Sequence, residues 1–418
     1  MRFHIVGAGV AGLAAALAAS KAGHTVTLYE AAPQAGGRCR SFFDESLGCV
    51  IDNGGHVVLE ANRATIGFLD EVGGRQAMQT VAPATFAFLD VVTGESWCVR
   101  PGGGPIAWWI ADPARRVPGT RLRDYASALR LVFAGSEQTV ANAIGECGVL
   151  RARFWDPLST AVMNMDASEA AARPLARVLR ETFLRGEKSC RPSIARGGLS
   201  TAFGDPALRR LGERGATFRP NCRLSEISFD TTRASRLVFG DRNVDLGRGD
   251  CVVLAVPPAA AQALVPALAV PMAARAIVNA HFRLDGAATL PGGQPLLGLT
   301  GGTAQWLIAR EDVVSATVSA ADGLVDLPAD EILGRIWHDV ATALGVSRSS
   351  APRARLIKER RATFAQDPAA QRLRPGPRTR WPNLALAGDW TDTGLPATIE
   401  SAIRSGTLAY RVLAAVNS

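Results

Sequence analysis

Apolar residues open the chain as a short block, Phe3 to Val6, and the pattern then changes period: Leu13 to Ala22 is alanine-rich and unbroken, while Thr25 to Tyr29 alternates. Residues two apart share a strand face, and residues three or four apart share a helix face. The pattern therefore predicts strand, helix, a stop at Gly23 and a second strand, with Glu30 at its end. A related unit closes the chain. Leu384 to Ala387 reads as a short buried strand, Gly388-Asp389-Trp390-Thr391 as an acidic turn, and a helix is predicted from near Thr398. Leu122, Tyr125, Ala126, Leu129, Val132 and Phe133 recur at helical spacing among Arg121, Arg123 and Arg130, after Ile106-Ala107-Trp108-Trp109-Ile110 and Arg115-Arg116. That stripe suits two arrangements, a helix lying on an anionic lipid surface or a helix facing a core. No apolar run reaches the roughly 20 residues of a spanning helix, and Met1-Arg2 leading straight into a strand does not read as a cleavable leader.

The loop after the first strand carries chemistry. Gly7-Ala8-Gly9-Val10-Ala11-Gly12 has three glycines at the spacing of a nucleotide-binding turn. Gly7 permits the tight turn, Gly9 lets backbone approach a pyrophosphate, and Gly12 lets the helix pack closely. A pyrophosphate there meets the free N–H groups and the positive end of the helix dipole. Glu30 is placed to accept hydrogen bonds from ribose hydroxyls. The expectation is a dinucleotide site.

Composition narrows the partners. At 418 residues the chain exceeds one simple core, and 47% hydrophobic with 20% charged residues is the balance of a globular protein. The formal charge is +8, yet only three of 46 basic residues are lysines, and no compact basic run interleaves with aromatics. Nucleic acid is not expected as a partner; an anionic membrane surface stays open. Seven scattered cysteines without a Cys-x-x-Cys spacing argue against a disulfide framework and a metal cluster, and for a reducing, cytoplasmic setting.

Ala35-Gly36-Gly37-Arg38-Cys39-Arg40-Ser41, directly after Glu30, suits a longer dinucleotide running inward, with Arg38 available to its phosphates. This extension resembles the amine oxidase and carotenoid desaturase superfamily of flavoproteins, which implies FAD; Gly388 to Ala402 offers no Cys or His as a tether, so non-covalent binding is expected. The resemblance also assigns Asp389, after Gly388, to the ribityl or pyrophosphate region, the backbone N–H groups of Thr398 and Ile399 to the flavin pyrimidine ring, and Leu224 to the adenine. Asp52-Asn53-Gly54-Gly55-His56, Phe154-Trp155-Asp156-Pro157-Leu158 with Ala161 and Asn164, Arg196-Gly197-Gly198-Leu199-Ser200, Gly301-Gly302-Thr303-Ala304-Gln305-Trp306 and the long run Ala387 to Ala402 extend it over nearly the whole chain. Together they resemble the hydroxysqualene dehydroxylase family. One departure is Gly55, where the family usually has Gln.

The resemblance implies an α/β fold, α+β overall. A discontinuous Rossmann-like FAD-binding domain (1–85, 195–275, 376–418) would carry an inserted mixed-sheet and helical substrate domain (86–194, 276–375). It implies reductive removal of an allylic hydroxyl from a polyprenyl lipid, with hydride from reduced flavin N5. Hydroxide is a poor leaving group, so a proton donor is required. His56 is the first candidate acid, with Asp52 and Asn53 placed to orient it; Gly54 and Gly55 would lie along the flavin. A structural hydrogen bond is the other reading of His56, and Asp166 is a weaker candidate acid. No second nicotinamide fingerprint is visible, so a separate electron donor is expected. A carotenoid-type desaturase, an amine oxidase-like enzyme and a non-catalytic flavin-binding protein are the alternatives, and location on the inner face of the cytoplasmic membrane is open.

Overall fold

A computed structural model describes residues 1–104, 107–240 and 242–417. The predicted opening unit forms as strand Arg2–Val6, helix Val10–Lys21 and strand Thr25–Tyr29. These strands join a five-stranded, all-parallel sheet in the order Thr217–Arg219, Thr25–Tyr29, Arg2–Val6, Asp250–Leu254, Leu384–Leu386. Every residue of Asp250–Leu254 and Leu384–Leu386 is buried, as parallel strands covered on both faces require. The two ends of the sequence thus meet in one sheet. A three-stranded antiparallel meander, Leu224–Phe229, Ala234–Phe239 and Arg242–Asp245, packs beside it.

The second large element is a seven-stranded mixed sheet, ordered Arg353–Phe364, Ala274–Arg283, Val313–Val318, Trp306–Arg310, Leu296–Thr300, Phe86–Asp90, Ser96–Val99. Its strands alternate. Ala276, Val278, Ala280 and Phe282, with Val314, Ala316 and Val318, bury one face against helix Ala329–Leu344 through Ile332, Ile336 and Val340. The opposite face carries Asn279, Thr317, Ile308 and Arg310, and turns toward the segment around Asp52–His56. Helices between Ala126 and Cys190 form a separate apolar cluster around Leu131, Trp155, Met163 and Leu175, joined to the sheet by Phe88, Trp97 and Trp306.

Buried polar side chains tie these parts together. Glu400, 3% exposed, accepts from the N–H groups of Ala64 (3.1 Å) and Thr65 (2.8 Å), from the Thr65 hydroxyl (2.7 Å) and from Arg404 Nε (2.7 Å). It thereby caps helix Arg63–Val72 from a distance of more than 330 residues. Arg374 donates to the carbonyls of Asp389 (3.1 Å), Thr391 (2.6 Å) and Leu395 (2.8 Å), which fixes the loop before the last helix. Removing Glu400 orphans two backbone donors and one guanidinium contact together. Glu400→Ala is expected to cost about 2–3 kcal/mol, read as a lower urea midpoint with an unchanged slope.

Candidate functional site: a dinucleotide cradle

Parallel strands end at one edge of their sheet, and ligands of such sheets bind outside those carboxyl ends. Gly7 follows strand Arg2–Val6 at φ +100°, and a Cβ there would lie 2.3 Å from the Ala255 carbonyl oxygen. At Gly12 a Cβ would lie 1.8 Å from the Gly7 carbonyl oxygen, so the helix can approach its own turn only without a side chain. Gly9 differs: its φ of −69° suits any residue, and a Cβ would meet nothing within 4 Å. Open space over Gly9, at a helix N-terminus, is the cradle a pyrophosphate would fill.

The second glycine turn docks on the first. Gly36 N–H donates to the Ala8 carbonyl (2.8 Å), and a Cβ at Gly37 would lie 3.2 Å from Gly9 Cα. Glu30 accepts from the N–H groups of Ala8 (2.7 Å) and Ala32 (2.8 Å), which holds the turns against each other and leaves each carboxylate oxygen a further lone pair for a ribose hydroxyl. The chain at Asn221 and Cys222 runs alongside, donating to Ala32 (3.1 Å) and Glu30 (2.7 Å) carbonyls, and Leu224 is buried two residues on.

From the other end of the sequence, Gly388 sits at φ +146°, where a Cβ would strike the Trp390 indole at 2.4 Å. Its neighbour Asp389 meets Arg38 through both oxygens at 2.8 Å, and this carboxylate holds the guanidinium even more firmly protonated than usual. Arg38 still shows 43% of its side chain, so the pair borders accessible space. Helix Ile399–Asn417 begins one residue beyond Thr398, whose hydroxyl accepts from Ser401 N–H (3.2 Å) as a cap. The sequence-predicted Gly7, Gly9, Gly12, Glu30, Gly36, Gly37, Arg38, Asp389, Thr398 and Ile399 thus border one sheet edge.

The Asp52–His56 segment departs in part from expectation. Asp52 does not hydrogen-bond His56: it accepts from the Ser41 hydroxyl (2.6 Å), Leu199 N–H (2.8 Å) and Arg310 (2.8 Å), tying a hairpin to a loop and to the large sheet. Asn53 faces Glu359 (3.4 Å) and Asn279 (3.4 Å) instead. Their role toward His56 is electrostatic at most. Burial is the largest influence on His56 and lowers its pKa; the Asp52 charge opposes this, the Arg38 guanidinium adds to it, and a hydrogen bond to the Arg38 backbone and the Asp389 charge oppose it. Gly54 lies beside Asn279, and Gly55 N–H donates to Asn279 Oδ1 (3.3 Å), which also accepts from the Thr317 hydroxyl (2.9 Å). A Cβ at Gly55 would lie 2.7 Å from Thr317 Oγ1, so Thr317 occupies the space that a longer side chain at this position would need. Asp166 is exposed, its carbonyl closing a turn with Glu169 and Ala170, which is poor placement for an acid. Asn164, buried in the left-handed region at φ 51°, links the helical cluster to the sheet through Ala320 (2.6 Å) and Thr363 (3.0 Å).

Comparison with known proteins settles the family. The family model described as flavin containing amine oxidoreductase matches residues 10–413. The chain belongs to that family. It is accordingly a flavin-dependent oxidoreductase, and FAD is its cofactor. A relative from Sinorhizobium fredii named hydroxysqualene dehydroxylase is 44% identical over 97% of this chain and 96% of its own. One of the same name from Rhodopseudomonas palustris is 43% identical over 97% and 96%. Among solved structures, an oxidoreductase from Methanosarcina mazei superposes with a TM-score of 0.73 at 16% identity, covering 97% of this chain and 99% of that one, a likeness of fold.

Sequence reasoning missed Asn279, Thr317, Arg374 and Glu400. Polar Asn279 and His281 in the otherwise apolar alternation of Ala274–Arg283 were the available signal. The glycines make a sharp prediction. Gly9→Ala should fold normally yet bind FAD at least about tenfold more weakly, a loss of ~1.4 kcal/mol. Gly12→Ala should impair folding itself. Circular dichroism and flavin fluorescence titration separate the two outcomes.

Proposed function

We propose that this flavoenzyme removes the allylic hydroxyl of hydroxysqualene reductively, giving squalene and water, in squalene and hopanoid biosynthesis. The observation that carries the reading is near-full-length similarity at 39–44% identity to three relatives named hydroxysqualene dehydroxylase. Reduced FAD, when bound, supplies the hydride. The glycine turns and Glu30 would hold its adenosine and pyrophosphate part, and Leu224 would contact the adenine. Arg38 and Asp389 would hold its middle part, and the N-terminus of the last helix would stabilise negative charge on the pyrimidine ring. The segments 1–85, 195–275 and 376–418 serve the cofactor, and 86–194 with 276–375 the substrate.

His56 is the group to which we assign the proton. It lies beside Arg38, Asp52 and Asp389, and burial makes its imidazolium a stronger acid than an exposed one. A stronger acid protonates a departing hydroxide more readily, at the expense of a smaller protonated fraction near neutrality. The hydroxyl oxygen takes that proton as its bond to the allylic carbon breaks and the hydride arrives, so the products balance as alkene and water. Asn279 and Thr317, on the sheet face above Gly55, supply the polar contacts that orient the hydroxyl. A separate electron donor returns the flavin to its reduced state.

The lipid must reach this site, and the arginine-flanked stripe supports a membrane route. Leu122, Leu129 and Phe133 are exposed, Phe133 to 82%, as is Trp108 to 73%, while Ser127 and Leu131 face inward. Ile106 lies outside the described residues. Among those described, no helix is long and apolar enough to cross a membrane. An exposed apolar stripe flanked by Arg121, Arg123 and Arg130 fits an interfacial docking surface.

With a lowered pKa, His56 loses its proton as pH rises through a value below 6.5, so kcat/KM should fall with rising pH on a limb in that range. His56→Gln should abolish the limb and lower kcat about 10²–10⁴-fold, with the bound-flavin spectrum unchanged. Leu129→Asp with Phe133→Asp should weaken sedimentation with phosphatidylglycerol vesicles at least about tenfold, a loss of ~1.4 kcal/mol. The function itself is tested anaerobically with hydroxysqualene and chemically reduced enzyme. Squalene is the expected product; its absence, or desaturation of a carotene by the oxidised enzyme, overturns the reading.

A further inference from the structure

Outside the cofactor cradle, a cleft of about 650 Å³ is lined by six cations, Arg63, Arg75, Arg185, Lys188, Arg191 and Arg404. Three are neutralised by fixed carboxylates: Arg75 by Glu60 (2.7 Å), Arg191 by Glu187 (2.7 Å) and Arg404 by Glu181 (2.7 Å). These pairs build the walls. Arg63, Arg185 and Lys188 are exposed and make no ion pair within 4 Å among the described residues, although Lys188 lies near enough to Glu187 to help lower its pKa. Two further features ask for an anion. Arg75 Nη1 is buried and donates to nothing, and a buried donor without an acceptor is costly. Arg63 stands in the first turn of helix Arg63–Val72, a turn with no acidic residue of its own, although the helix dipole disfavours a cation there. Glu400 satisfies the N–H groups of Ala64 and Thr65 but not this guanidinium.

We infer that the cleft is a binding site for a phosphoryl group, several of whose oxygens would be bridged by Arg63, Arg75, Arg185 and Lys188 together. Guanidinium forks match phosphate oxygens in geometry as well as charge. The inference does not rest on the assignment of hydroxysqualene. The group belongs either to a lipid headgroup or to a small soluble phosphate compound. The cleft walls adjoin the apolar stripe, since Arg180, next to Glu181, donates to the Val132 carbonyl, and Glu187 N–H donates to the Gly102 carbonyl (2.8 Å). That continuity gives a headgroup a path from a bilayer.

The test uses FAD-loaded enzyme and two probes, inorganic pyrophosphate in calorimetry and phosphatidylglycerol vesicles in sedimentation. The variant Arg63→Gln/Arg185→Gln/Lys188→Gln alters exposed side chains only; Arg236→Gln/Arg248→Gln/Arg360→Gln removes the same charge elsewhere. A site for a soluble phosphate compound predicts saturable pyrophosphate binding, one per chain, weakened at least tenfold by the cleft variant and not by the control, with vesicle binding unchanged. A headgroup site predicts in addition that the cleft variant lowers vesicle binding and that pyrophosphate competes with vesicles. If neither probe binds wild-type enzyme, or the two variants lose binding equally, the site does not exist.

Discussion

The architecture depends on how closely the last helix approaches the first. A Cβ at Gly406 would lie 1.9 Å from the Ala11 carbonyl oxygen, so Ile399–Asn417 rests on Val10–Lys21 with backbone against backbone. Both helices follow strands of one parallel sheet, Arg2–Val6 and Leu384–Leu386, and both therefore begin at the same edge. Two helix N-termini, each favouring negative charge, are brought to that one edge. The Arg38–Asp389 pair closes the space between them. Substituting Gly406 would separate the helices and with them the two halves of the cradle.

Much of the cradle was legible because each of its parts is local. Gly7, Gly9 and Gly12 act within one turn, and their distinct tasks follow from distinct collisions: backbone for Gly7 and Gly12, open space for Gly9. The βαβ period gave Thr25–Tyr29 to the residue, while the first strand begins at Arg2, one residue before the predicted Phe3. Arg38 and Asp389 were found separately through resemblance, but nothing in the order of residues says that they pair across 351 positions.

What remained illegible is carried by long-range polar contacts. Asp52 looked like a partner for His56 because four residues separate them, yet its oxygens are taken by Ser41, Leu199 and Arg310. Glu400 reads as an ordinary acid in the first turn of a helix, and it caps a different helix. Periodicity left the 122–133 stripe divided between core and surface. The fold splits it: Tyr125 and Val132 pack against the core beside Leu131, while Leu122, Leu129 and Phe133 face outward. At Gly55, where the family usually has Gln, Thr317 stands in the space a longer side chain would need.

Hydride transfer to an allylic carbon, with a proton delivered to the leaving oxygen, is the central claim for this fold. The most direct measurement is an anaerobic single turnover in heavy water, where N5 of the reduced flavin carries deuterium, of reduced enzyme mixed with one equivalent of hydroxysqualene. The account predicts flavin oxidation at the rate of squalene formation, one squalene per flavin, with deuterium at the carbon that lost its hydroxyl. Squalene without deuterium at that carbon, or flavin that stays reduced while substrate is consumed, would contradict it.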